Sequence, residues 1–117
     1  MRLKTIGYGL AGILALGSSG SMAAGKLRFW NQTTSTIVDL RLAKAGTDAW
    51  GPNQCENDKD KSVDSDERLD LTGIEPGRYD VKLVEKSHRR CLVRGVEVKA
   101  GGPYAFAIAQ EDLKDCQ

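Results

Sequence analysis

The chain lacks a long apolar run. The stretch from Ile6 to Leu16 covers about eleven residues and is glycine-rich, well short of the roughly 20 that a spanning helix needs. A retained membrane anchor is therefore not expected. A charge excess is also missing, since 17 Lys and Arg stand against 16 Asp and Glu for a formal net charge of +1. That balance argues against nucleic-acid binding, which calls for a basic surface. The three cysteines include no Cys-x-x-Cys pair, so the motif that lowers a thiol pKa and supplies a resolving partner is absent. No internal repeat is visible, and no long helical stripe competes with the period-two pattern described below.

What is present begins with an export signal. Arg2 and Lys4 form a basic start, the short apolar stretch follows, and Gly-Ser-Ser-Gly-Ser-Met-Ala-Ala closes it with Ser21 and Ala23 as small residues before a cut. Residues 1–23 are therefore expected to be removed, leaving residues 24–117 as one domain. The expected compartment is the periplasm, or the exterior after full secretion. No cysteine follows the small-residue exit, so a lipid anchor is not indicated. Without Arg2 and Lys4 the balance is 15 basic against 16 acidic side chains.

Alternation dominates the rest. Leu27, Phe29 and Asn31 alternate with Arg28 and Trp30. Val38, Leu40 and Leu42 alternate with Asp39 and Arg41. Leu69 and Leu71 mark a short third strand, and Tyr79, Val81 and Leu83 alternate with Asp80 and Lys82 in the clearest one. Cys91 to Val98 reads as a fifth strand whose parity slips at Arg94-Gly95, the mark of a bulge. Tyr104, Phe106 and Ile108 make a sixth, and Gln110 to Cys116 could form a short terminal helical turn. Turn-favouring residues separate these runs, among them Asn31 to Ser35, Glu75-Pro76-Gly77 and Ser87 to Arg90. The expected fold is all-β: a small antiparallel β-sandwich of about six strands with one long acidic loop. If successive strands alternate in direction, the second, fourth and sixth end at one pole. Cys55, Cys91, Cys116, His88 and the acidic stretch would gather there.

One series of motifs resembles a group of small exported bacterial β-sandwich proteins of uncharacterised function. It consists of Asn31-x-Thr33, Ile37, Trp50-Gly51-x-Asn53 and Pro76-Gly-Arg-Tyr79-Asp80-Val-Lys-Leu83. The resemblance covers roughly Leu27 to Val98 and implies a sandwich in the cell envelope, with no catalytic residues to carry over. The chain departs from that pattern between Glu56 and Glu67, where an acidic elaboration replaces a short connection.

That elaboration is the leading functional candidate. Asp58, Asp60, Ser62, Asp64 and Asp66 put oxygen side chains at alternate positions, with Glu56, Glu67 and Asp70 as auxiliaries. Ca²⁺ or a similar hard cation takes six to eight oxygens. The match to an EF-hand is poor, because Val63 and Leu69 stand where glycine and glutamate belong, and Lys59 and Lys61 repel a cation. Between Lys82 and Lys99 the charge reverses, with six bases against Glu85 and Glu97. Three cysteines allow one bridge and one leftover thiol; a tail-to-body bond of Cys116 with Cys55 or with Cys91 is favoured. A Cys/His zinc set of Cys55, His88, Cys91 and Cys116, and a nucleophile-and-base pair of His88 and Cys91, are weaker readings, since nothing announces an orienting group or an oxyanion hole. Trp50 is expected to cap the core end and Trp30 to lie partly exposed on the polar parity of its strand. The expected function is a non-catalytic periplasmic or secreted accessory domain that docks an envelope partner through its loop-rich pole. The alternative is a periplasmic metal-binding protein that uses the stretch 56–70.

Overall fold

The structure, a computed structural model, describes residues 26–117; the expected signal of residues 1–23 lies outside them. Seven strands follow in order: β1 (Arg28–Gln32), β2 (Ile37–Lys44), β3 (Arg68–Asp70), β4 (Gly77–Glu85), β5 (Arg90–Val98), β6 (Phe106–Ala109) and β7 (Asp115–Cys116). Single 3-10 turns cover Gln54–Asn57 and Gln110–Asp112. The strands form two sheets, one of order β3-β1-β6 and one of order β2-β4-β5-β7. The fold is thus an all-β sandwich, and the alternation of apolar side chains is its cause. Phe29, Leu40, Leu42, Val81, Leu83 and Ile108 all point between the sheets and are buried. Each contributes about 1.5–3 kcal/mol by leaving water. Phe29 and Phe106 meet at 5.0 Å between ring centroids where β1 and β6 run side by side.

The parity slip at Arg94-Gly95 is a bulge. Val81 faces Val93 and Tyr79 faces Val96, so two steps on β4 are matched by three on β5. Gly95 takes φ +71° there, a conformation glycine adopts without steric cost.

Strand direction departs from simple alternation. β2 and β4 are adjacent and antiparallel, so their ends lie at opposite poles, and β1 pairs with β6 in parallel. The cause is the long connection after Lys44, which runs back along the edge of β2 instead of staying at one end. Gly51 N–H donates to the carbonyl of Leu42 at 3.0 Å, and further along Val63 exchanges both backbone hydrogen bonds with Ile37 at 3.0 and 2.9 Å. β3 therefore starts from the pole where β2 starts. The acidic stretch still reaches the pole that holds the Glu85 to Arg90 turn and the C-terminal tail, but by travelling the length of the sandwich. The tail also differs from a helical turn. After Gln110–Asp112 it becomes β7, two residues paired on the edge of β5.

Candidate functional site

The long loop is fastened by side-chain amides. Asn53 acts as a surrogate strand against β2: its Oδ1 accepts from Leu40 N–H at 3.0 Å and its Nδ2 donates to the Val38 carbonyl at 3.3 Å. The same Oδ1 accepts from Cys55 N–H at 2.9 Å and starts the 3-10 turn. Buried Gln54 pairs with the backbone of Thr72 through both ends of its amide, at 3.0 and 2.9 Å. Asn57 donates to the Asp70 carbonyl at 2.8 Å. The turn thus closes the side of the sandwich between the edge strands β2 and β3.

Asn31 does the same at the far end of the loop. Fully buried on β1, it donates to the carbonyls of Ser35 (2.8 Å) and Val63 (3.0 Å). Its Oδ1 accepts from the backbone and hydroxyl of Thr33 at 3.0 and 2.7 Å. At the loop's beginning the anchor is ionic. Asp80, on β4, is buried and accepts from Gly46 N–H (2.9 Å), Gly95 N–H (3.0 Å) and Arg94 Nη1 (3.1 Å). These bonds, that from Gly46 first, hold its carboxyl below the usual carboxylate range although burial opposes them.

Held in this way, the loop presents its acids separately. Glu56 pairs with Lys61 at 3.0 Å. Asp58 accepts from Asp60 N–H at 2.8 Å, a local turn bond. Asp64 accepts from the Thr36 hydroxyl at 2.9 Å, and Glu67 accepts from Asp64 N–H at 2.9 Å. Asp66 accepts from Trp30 Nε1 at 3.0 Å, while Asp70 faces Lys26 and Arg28 at 3.3 and 3.4 Å. Ser62 is half-buried beside Val63. Among the described residues no three His, Cys, Asp or Glu side chains group so as to hold a metal ion. The alternate oxygens that suggest a chelating loop are therefore not brought together. Glu56, Asp60, Asp64 and Glu67 are exposed.

The cysteines divide. Cys91 and Cys116 form the disulfide, facing each other across β5 and β7 with Cα atoms 4.1 Å apart. Arg90 and Gln117 exchange both hydrogen bonds in the next row, which leaves Cys91 and Cys116 as the close, non-hydrogen-bonded pair where a bridge fits. Of the two pairings left open, the tail thus takes Cys91. The bridge removes both sulfurs from the zinc set and takes Cys91 out of any thiol nucleophile pair with His88. Cys55 is a free thiol, fully buried under β2 and donating to the Ile37 carbonyl at 3.6 Å. Burial pushes its pKa up to about 12, with the Asp39, Asp58 and Glu56 carboxylates adding to the effect.

The tryptophans also separate. Trp30 is half-exposed on the outer face of β1, as its parity predicts, under the Arg68 guanidinium at 4.1 Å and against the Tyr104 ring at 5.1 Å. Both neighbours leave the ring packed into the sheet surface. Trp50 does not cap the core. It lies half-exposed with Lys82 Nζ 4.7 Å from its ring, because Gly51, tied to Leu42, turns it onto the outer side of the sheet. A groove of about 700 Å³ lies between β5 and β6 and contains Val93, Val96 and Tyr104.

The amide anchors were not among the expected site residues. Asn31 had a usable signal, since it shares the inward parity of Phe29. Asn53 stood out only as the last residue of the Trp50-Gly51-x-Asn53 motif, and Gln54 and Asn57 had no signal beyond their position before an acidic stretch. Comparison with known protein families, curated proteins and solved structures finds no match to this chain.

Proposed function

We propose that the chain is a non-catalytic interaction domain of the cell envelope, periplasmic or secreted, that docks a partner protein through its loop-rich pole. The observation that carries this reading is the contrast inside the loop between buried amide anchors and exposed acids. Buried polar groups are tolerated only when their hydrogen bonds are complete; Asn31 meets that condition by binding the Val63 carbonyl of this loop together with Thr33 and Ser35, and Gln54 by tying the loop to the Thr72 backbone. A loop serving only as a solvated spacer needs no such fixing. A rigid surface of separated carboxylates loses little entropy when a partner binds. The Cys91–Cys116 bridge fits an oxidising compartment, and no helix among the described residues is long and apolar enough to cross a membrane.

A photo-activated cross-linker at exposed Asp60, and another at Lys44 beyond the opposite pole, test the reading in cells that export the protein. Adducts from position 60 that vanish when Asp58 and Asp64 become Asn are expected. Equal adducts from both positions, or none from 60, overturn it. The cation alternative is tested by thermal unfolding with chelator, Ca²⁺ or a lanthanide. A bound ion at 100 times its dissociation constant adds about 2.7 kcal/mol, several degrees for a domain of this size. No shift is expected. A shift abolished by Asp58→Asn and Asp64→Asn would transfer the loop to the cation reading.

A further inference from the structure

The sandwich is closed along one flank and open along the other. On the closed flank the long loop covers the edge of β2 through Gly51 and Val63, and Asn57 ties it to β3. On the other flank β7 covers only Cys91 and Leu92 of β5. The next bond on that side comes beyond the end of β5, where Lys99 N–H donates to the Ala105 carbonyl at 3.0 Å. Among the described residues, β5 therefore has β4 on one side and no strand on the other from Val93 to Val98. β6 across the groove offers less, since Lys99 takes the Ala105 carbonyl and Asp112 Oδ2 takes the Ala109 N–H at 2.8 Å. The core is thin at the same place. Cys91 and Val98 are buried, while Val93 and Val96 between them are half-exposed and line the groove.

Backbone groups alternate between the two sides of a strand. Arg90 exchanges both bonds with Gln117 of the tail, and Leu92 pairs with Asp115, so Arg94 also faces outward. Lys99 faces the same side, which sets Glu97 outward as well. The bulge at Gly95 accounts for their odd spacing. Arg94 and Glu97 thus carry the unpaired backbone groups, together with exposed side chains of opposite charge. Arg94 bonds Asp80 through Nη1 alone, and Glu97 meets Arg78 only at 3.8 Å. Each keeps capacity for a second partner.

We propose that a second copy of this chain pairs here, β5 against β5, antiparallel about a two-fold axis. That axis sets Arg94 of each copy opposite Glu97 of the other. A bulge and charges on an edge deter a strand of ordinary sequence. A second copy brings the same bulge to the same level and the reverse order of charge, so the features that exclude other strands favour this one. The pairing brings the half-exposed valines of the two copies together. It also sets Leu92 opposite Lys99 of the other copy, which places that ammonium beside Asp115; neither charge has an ion pair among the described residues. The surface is separate from the docking pole and uses none of its acids.

Sedimentation velocity of the exported protein over a range of concentrations provides the test. The sedimentation coefficient should rise with concentration towards that of a dimer. Glu97→Pro should abolish the rise, because it removes an outward N–H that β4 does not use, and an edge tolerates proline there. Its denaturant midpoint reports whether it is folded. Glu97→Lys sets like charges opposite each other twice, and should weaken association at least about tenfold, less so in about 500 mM salt. It decides alone if Glu97→Pro does not fold. Glu75→Lys makes the same charge change at an exposed residue outside the groove and should associate as the parent does. A parent chain monomeric at every concentration overturns the proposal. Association of folded Glu97→Pro equal to the parent's also overturns it, since another surface then joins the copies. Equal losses from Glu75→Lys and Glu97→Lys would reduce the effect to net charge and remove β5 from it.

Discussion

The two segments that leave the sheets at length, the loop from Ala45 to Glu67 and the tail from Gln110 to Gln117, are secured by opposite means. The loop is held by hydrogen bonds from Asn31, Asn53, Gln54, Asn57 and Asp80. The tail is held by one covalent bond and a two-residue strand. Hydrogen bonds to buried groups exist only while the core exists, so the loop should open when the sandwich opens. A disulfide acts largely through the unfolded chain, by shortening its accessible states. The two anchors therefore leave different traces when cut.

Removing the tail's bond should have the largest effect. For a sequence separation of 25 residues, loop-closure entropy amounts to about 3.5 kcal/mol. The double change Cys91→Ser/Cys116→Ser should lower unfolding free energy by about that amount and raise the denaturant slope, since the unfolded chain becomes more extended. Cys55 should stay unreactive to alkylation below the unfolding transition. An unchanged slope together with fast Cys55 labelling would mean that the tail also holds the loop, and the contrast would fail.

Asn31→Ala should come next, at about 3 kcal/mol. It removes one of two donors from each of the Val63 and Ser35 carbonyls and leaves the Thr33 N–H without its acceptor at a buried site. Here the slope should stay constant while Cys55 labelling accelerates, because the loop end over Ile37 loosens. Full protection of Cys55 in this variant would show that the 3-10 turn holds itself.

These two experiments also mark what the sequence made legible. The strands, the bulge at Arg94-Gly95 and the outward Trp30 follow from period-two alternation, a local signal that packing reinforces. The course of the chain did not follow. The return of residues 51–63 along β2 depends on amides bonding to backbone twenty or more residues away in some cases, as Asn31 does with Val63, and no periodicity records such bonds. The arrangement of the loop's carboxylates was illegible for a related reason. Alternate spacing suggests convergence only where the backbone curls around one point, and here Asp58, Asp64 and Asp66 each turn to a different neighbour.

The loop's first anchor is charged, which separates it from the neutral anchor at its end. Asp80→Asn should cost about 2–3 kcal/mol, as donors from Gly46, Gly95 and Arg94 lose a carboxylate. Because the folded state holds the Asp80 carboxyl below its ordinary range, its contribution is present above about pH 4, the unfolded value. It is lost as pH falls through the lower folded value. The parent protein should lose stability more steeply than Asp80→Asn in that acid window, measured by denaturant midpoints at a series of pH values. Parallel curves would assign the acid sensitivity to other carboxylates.

The smallest expected effect concerns the exposed acids themselves. Asp58→Asn keeps an oxygen able to accept from Asp60 N–H, and Asp60 carries no ion pair among the described residues. The double change to Asn should therefore alter unfolding free energy by no more than about 0.5 kcal/mol. Cys55 should remain protected, since burial, not these charges, is the main reason its thiol holds its proton. A loss of 2 kcal/mol or so would make the acids part of the loop's anchorage, on a par with the amides. Near-neutrality leaves them outside it: the amides hold the backbone, and the carboxylates they display contribute nothing to keeping it there. Carboxylates that add nothing to folding are free to serve whatever the pole meets.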